Sequence, residues 1–225
     1  MKPLAWSYSG LSQFVNCPRQ FEAVRVSKSV KESQGEAQVW GEWVHKQFEN
    51  RQRDGTPLPP ELAEHEAYMQ RLEAMPGVAL CEQKVALNMQ MQPCGFFAPG
   101  VWNRGVIDYI KIHHHVAKII DYKTGKVKPD LKQLALFALF IFHTYPQVTV
   151  CNTEYYWTVD PTRPTESEFL RGRIPEIWAK FLPDLKQYNE AFKHNIWQPR
   201  QSGLCKAHCP VKECEFNGLG YQRRK

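Results

Sequence analysis

The 225-residue chain lacks any apolar run able to cross a bilayer. Its longest, Leu134 to Phe142, falls far short of the ~20 residues a helical span needs. The opening "MKPLAWSYSGLSQ" has no apolar stretch of the signal-peptide kind, so no export signal is expected. The seven cysteines are odd in number and lack tandem spacing, which excludes a secreted disulfide scaffold and predicts reduced thiols in the cytoplasm. Internal repeats and low-complexity segments are missing too. A phosphate-binding loop is also missing. "DYKTGK" ends in Gly125-Lys126, but Ile120 stands where the first glycine of G-x-x-x-x-G-K-[ST] is needed and Val127 where the hydroxyl is needed.

What is present fits a soluble globular chain of one domain, or one domain with an appendage. Hydrophobic residues make up 43% and charged residues 23%, leaving enough apolar material for a sizeable core. The net charge of +6 is unevenly spread. Lys111, Lys118, Lys123, Lys126, Lys128 and Lys132 face only Asp121 and Asp130 across one segment, and the chain closes on "QRRK". Such a basic stretch suits a polyanion, although a solvated face is the commoner origin.

Helical spacing runs through "SYSGLSQFVNCPRQFEA", interrupted at Pro18, and through about Ala37 to Gln52. "PELAEHEAYMQRLEAM" predicts a third helix, and "DLKQLALFALFIFHTY" a helix apolar on nearly every side and hence buried. A long helical region is expected from about Thr165 to His194, with Pro175 and Pro183 marking turns or kinks. Strands are expected near Cys81–Leu87, Arg104–Ile112, Val116–Thr124 and Val148–Val159.

Two of these strands each carry an aspartate, a poor strand former. If "RGVIDYIKI" and "VAKIIDYKTG" form a hairpin turning between His114 and His115, Asp108 stands opposite Asp121, and Lys123 shares a face with Asp121. A slip of one residue breaks this alignment. Two facing carboxylates repel unless a cation lies between them, and hard oxygen ligands suit Mg2+ or Mn2+. Metal-dependent phosphodiester hydrolysis, with a lysine opposing the developing charge, is the matching chemistry. A surface hairpin with incidental charges is the bland alternative.

Asp108, Asp121-Tyr122-Lys123 and the following Gln133 in "QLALF" together resemble the PD-(D/E)XK nuclease superfamily, and within it the RecB-like branch and related phage-encoded exonucleases. The resemblance implies an α/β restriction-endonuclease-like fold, with a central mixed β-sheet flanked by helices. Asp108 and Asp121 would be metal ligands, joined by the Tyr122 carbonyl. Lys123 would be the catalytic lysine, and Gln133 would open the helix motif and help position DNA. Phe137 stands where the branch usually has tyrosine, so one hydroxyl is missing. "WGEWVHKQFE" matches the branch's G-x-x-x-H-x-x-x-E helix through Gly41, His45 and Glu49, so the resemblance implies His45 as a further metal ligand, against the plain reading of a structural or exposed helical histidine. Glu82 sits where related enzymes sometimes place another acid, against the plain reading of a strand-edge glutamate.

Both chain ends share the resemblance. Cys17, Cys205, Cys209 and Cys214 match the one N-terminal and three C-terminal cysteines that bind a [4Fe–4S] cluster in AddB-type helicase-nucleases and CRISPR-adaptation nucleases. Structural zinc, held by four cysteines or with His208 replacing one, and unligated thiols stay open on spacing alone. The resemblance implies a single nuclease domain over 1–225, with a catalytic core of about 37–160 and a cysteine-rich patch from 7–24 and 196–218 joining the termini. The implied activity is Mg2+- or Mn2+-dependent DNA cleavage, as an exonuclease in bacterial or phage recombination, repair or replication. A helicase or a single-strand-binding or annealing protein would be a companion. Arg19, Lys126 and Lys128 would contact DNA phosphates. A non-catalytic DNA-binding module and a DNA endonuclease are the alternatives.

Overall fold

The computed structural model describes residues 4–32, 34–128 and 130–219; the basic "QRRK" end lies outside them. The chain falls into two compact units, one of Gln34–Lys180 and one combining Met1–Ser33 with Phe181–Lys225. Among the described residues no helix is long and apolar enough to cross a membrane.

The first unit carries a mixed five-stranded sheet in sequential order: β1 (Val78–Asn88), β2 (Val101–His113), β3 (Val116–Lys123), β4 (Val150–Trp157) and β5 (Thr165–Leu170). Neighbours run antiparallel except β3 and β4, which are parallel. A parallel pair needs a crossover, here the helix α5 (Lys132–Thr144). Every residue from Leu134 to Phe142 is buried, as expected of a helix apolar all round.

Alternation along β3 separates the two sides of the sheet. Ile120 and Tyr122 pack with α3 (Glu36–Asp54) and α4 (Glu66–Ala74) through Val44, Phe48, Tyr68, Met69 and Leu72. Asp121 and Lys123 turn instead to Gln133 of α5. Helix α3 ends at Gly55, whose φ of 70° is the left-handed conformation a glycine C-cap supplies.

The β2–β3 hairpin has the register expected of a turn at His114–His115: Tyr109 pairs with Ile120 and His113 with Val116. The strand β5 corrects the expectation of helix from about Thr165. "TESEFL" pairs antiparallel with β4, with Phe169 buried and the intervening Glu166 and Glu168 exposed. Its charged residues read like a helix, but they lie on the solvent side of an edge strand. Pro175 and Pro183 sit in the first turns of α6 (Ile174–Ala179) and α7 (Leu182–His194), so they begin helices rather than kinking one. "PELAEH" forms a 3-10 turn over Pro60–His65 before α4 rather than the start of a continuous helix.

The second unit holds α1 (Tyr8–Asn16), α2 (Pro18–Phe21) and α7. Ser7 caps α1 by accepting the Gly10 N–H at 3.2 Å. Phe14, Phe21, Tyr188, Phe192 and Trp197 form its aromatic core, largely edge to face. Arg200 ties the tail down by donating to the Val15 carbonyl at 2.6 Å and to Gln187 Oε1 at 2.8 Å.

Candidate active site

The site begins with an interruption in the β1–β2 ladder. Cys81 pairs with Tyr109 and Gln83 with Ile107, but between them Glu82 and Asp108 are unpaired, and Glu82 has φ 48°. Gly105 and Tyr109 would share a face in a regular strand. Instead Tyr109 packs with the α3/α4 cluster, whereas a Cβ on Gly105 would lie 3.1 Å from the Phe140 ring of α5. The faces therefore exchange at this point, and Glu82 and Asp108 are turned toward a cleft rather than into either core.

That cleft, about 530 Å3, is lined by Gly41, His45, Glu49, Glu82, Val106, Asp108 and Thr124 among others. Gly41 lets α3 come close, since a Cβ there would stand 3.0 Å from Thr124 Oγ1. His45 Nδ1 lies 3.3 Å from Asp108 Oδ2, and that oxygen also accepts the Tyr122 N–H at 2.7 Å. Asp121 is buried. Its Oδ1 accepts from Gln133 Nε2 at 3.0 Å, and its Oδ2 pairs with the Lys123 ammonium, which donates to Gln133 Oε1 at 2.9 Å.

Burial and the Asp108 charge push Asp121 upward; Lys123 and His45 pull the other way without cancelling them. Glu82 is raised to about 7, mainly by burial and then by Asp108. Burial alone would depress His45, but the hydrogen bond and charge of Asp108, with Asp121 and Glu82, outweigh it and raise the imidazole. Three carboxylates against one lysine and one histidine leave an excess of negative charge, as a site for a divalent cation requires.

His45, Glu82 and Asp108 each offer a ligand atom, all within 4.8 Å of one another. Asp121 lies outside that trio, engaged by Lys123 and Gln133. Tyr122 contributes its N–H to Asp108, and its buried ring stands edge-on to His45 and Phe48. Phe137 is buried, and its ring approaches Gly105. Lys126 and Lys128 are exposed on the loop between β3 and α5. Arg19 is exposed in the other unit. Glu82 is the ligand candidate that sequence reasoning valued too little; its one signal is an acid inside a run that otherwise alternates as a strand.

The raised groups have a consequence for stability. Between about pH 4.5 and pH 7 the folded chain keeps a proton on Glu82 that the unfolded chain has released, so stability falls as pH rises through that window. Asp121 and His45, both raised, act with the same sign. Thermal midpoints in EDTA are therefore expected to drop from about pH 5 to about pH 8. Glu82→Gln should flatten the drop, and a divalent cation should recover the loss at the higher pH. A midpoint that climbs over this range would show the carboxylates to be stabilised in their charged forms.

A helix-flanked mixed sheet with acids, a lysine and a glutamine gathered at one strand end defines a restriction-endonuclease-like fold carrying a candidate metal site. A family model for the PD-(D/E)XK nuclease superfamily matches residues 5–84 and 81–214. The chain belongs to that superfamily, whose nucleases use divalent metals. Among curated proteins, no sequence matches. Among solved structures, a protein from Eubacterium rectale with a provisional exonuclease assignment aligns with TM-score 0.55 at 10% identity, covering 97% of this chain and 89% of that one. SSO0001 aligns with TM-score 0.48 at 16% identity, covering 96% and 89%.

Proposed function

We propose that this chain is a Mg2+- or Mn2+-dependent deoxyribonuclease of the RecB-like branch, acting as an exonuclease on DNA. The observation that carries the reading is the joined set of His45, Glu82 and Asp108 on one side and Asp121, Lys123 and Gln133 on the other, linked by the Asp108–Tyr122 N–H bond. A purely structural hairpin has no use for three acids whose charges oppose one another beside an open cleft. The provisional assignment of the Eubacterium rectale protein agrees with an exonuclease.

His45, Glu82, Asp108 and Asp121 would hold the cation. A bound divalent cation would supply a nucleophilic water and neutralise charge on the phosphoryl oxygens. Lys123 lies where its ammonium can orient that water or oppose the charge growing on the phosphorus oxygens. Gln133 fixes the lysine and Asp121 relative to each other through its two amide atoms. Lys126, Lys128 and Arg19 would meet backbone phosphates, giving affinity that is salt-sensitive and indifferent to sequence.

In the second unit, Cys17, Cys205, Cys209 and Cys214 are proposed to hold a [4Fe–4S] cluster. The biological setting that suits the proposal is processing of DNA ends in the cytoplasm of a bacterium or phage-infected cell, beside a helicase or an annealing protein.

The test is a time course on end-labelled linear DNA, single- and double-stranded, beside a closed circle, with Mg2+ or Mn2+ and with EDTA. Metal-dependent loss of linear DNA alone supports the exonuclease. Cutting of the circle makes the chain an endonuclease. DNA binding without cleavage under every metal makes it a binding module.

A further inference from the structure

Beyond its pairing with β3, which begins at Tyr109, the outer part of β2 pairs among the described residues only with β1, so the β1–β2 hairpin extends past the rest of the sheet. From Gln83 to Ile107 this ribbon contains no acid, and its only charged residues are Lys84 and Arg104. Past the face exchange at Glu82 and Asp108, Lys84, Val106 and Arg104 share the face on which Val106 lines the cleft. Arg104 is four residues from Asp108, about 13 Å along the strand.

The loop at the ribbon's end is ordered by its own bonds. Asn88 Oδ1 accepts the Gln90 and Gln92 N–H groups, Cys94 N–H donates to the Ala86 carbonyl at 3.0 Å, and Leu87 bridges Pro93. It delivers Phe96 and Phe97 onto the arginine. The guanidinium carbon stands 5.2 Å from one ring centre and 5.6 Å from the other, and Lys84 Nζ stands 6.0 Å from Phe96. Phe97 is nevertheless 78% exposed. A large aromatic left in solvent, edge-on to Phe96 and beside the Arg104 guanidinium, is a feature the core does not need.

We propose that this ribbon is a binding site for single-stranded nucleic acid, with an unpaired base stacking on Phe97 and phosphates meeting Arg104 and Lys84 on the way to the cleft. The inference rests on the nuclease reading for its ligand. Exposed aromatics interleaved with bases suit unpaired strands, whose base faces are free, better than duplex, whose base faces are stacked on one another. The cation–π contact with Arg104 keeps the ring in place and the guanidinium fork beside it.

Binding is read by fluorescence anisotropy in Ca2+ with a single strand of about 16 nucleotides and a duplex of that length. Phe97→Ala, a truncation in solvent, is expected to weaken the single strand by about 5- to 150-fold, to spare the duplex and to leave the salt dependence unaltered. Arg104→Gln should lower the slope of log affinity against log salt by about 0.7. Unchanged single-strand affinity in Phe97→Ala, or equal losses on both substrates, overturns the proposal. If the wild type cleaves nothing in Mg2+ or Mn2+ but the Phe97 effect persists, the nuclease reading fails and the ribbon site stands. If cleavage is intact and Phe97→Ala binds like wild type, the ribbon site fails alone.

Discussion

Lys123→Ala is expected to lower kcat for DNA cleavage by about 10²- to 10⁴-fold, the range seen when a positioned proton-transfer group or charge stabiliser is removed. Single-turnover cleavage at saturating metal measures it. The same substitution also frees Asp121 Oδ2 from the ammonium that occupies it. Removing a positive charge beside a cation site raises affinity for the cation, so the metal concentration giving half-maximal rate should stay the same or fall. Asp121→Asn should differ: the rate falls and the metal requirement climbs. Lys123→Arg should not rescue, because a planar guanidinium cannot replace a compact ammonium between a carboxylate and an amide oxygen. A Lys123→Ala protein that cuts at the wild-type rate would end the assignment of this lysine. One whose only defect is a greater demand for metal would make it a structural support of Asp121.

Much of this site was legible because its parts are local. A turn at His114–His115 fixes which residues of β2 and β3 face each other, and alternation then places Lys123 beside Asp121. The buried helix with Gln133 in its first turn follows from the apolar run after Lys132. Glu82 was harder. Its place depends on a positive φ in a non-glycine residue and on a paired interruption in two strands, neither of which leaves a compositional mark. The strand β5 was missed for a related reason. An edge strand with one partner exposes alternate residues, and glutamates at those positions imitate a solvated helix. The boundary between the two units leaves little mark in the sequence, because α6 and α7 adjoin and carry similar patterns, yet Ala179 closes a helix of one unit and Leu182 opens a helix of the other.

Cys209→Ser is expected to abolish a metal centre in the second unit and to lower the thermal midpoint by at least about 10 °C, given the size of structural metal-binding energies and the shift per kcal/mol in a chain this long. Cys17 ends α1 and is buried, Cys205 is buried in the 3-10 turn Gly203–Lys206, and Cys209 and Cys214 follow in the tail. Burial pushes the Cys209 thiol up, the Val211 backbone pulls it down, and Cys205, Cys17 and Cys214 push it up again. The Arg200 N–H reaches Cys17 Sγ at 3.5 Å and the Ser202 N–H reaches Cys205 Sγ at 3.3 Å, the kind of backbone donors that steady thiolates. If the proposed [4Fe–4S] cluster is present, anaerobically purified protein should be brown, with iron and sulfide in equal amounts, and Cys209→Ser should be colourless while Lys123→Ala keeps the colour. Colourless protein with one equivalent of zinc would replace the cluster by structural zinc. Metal-free protein with freely titrating thiols, and an unaltered midpoint in Cys209→Ser, would leave these cysteines unligated.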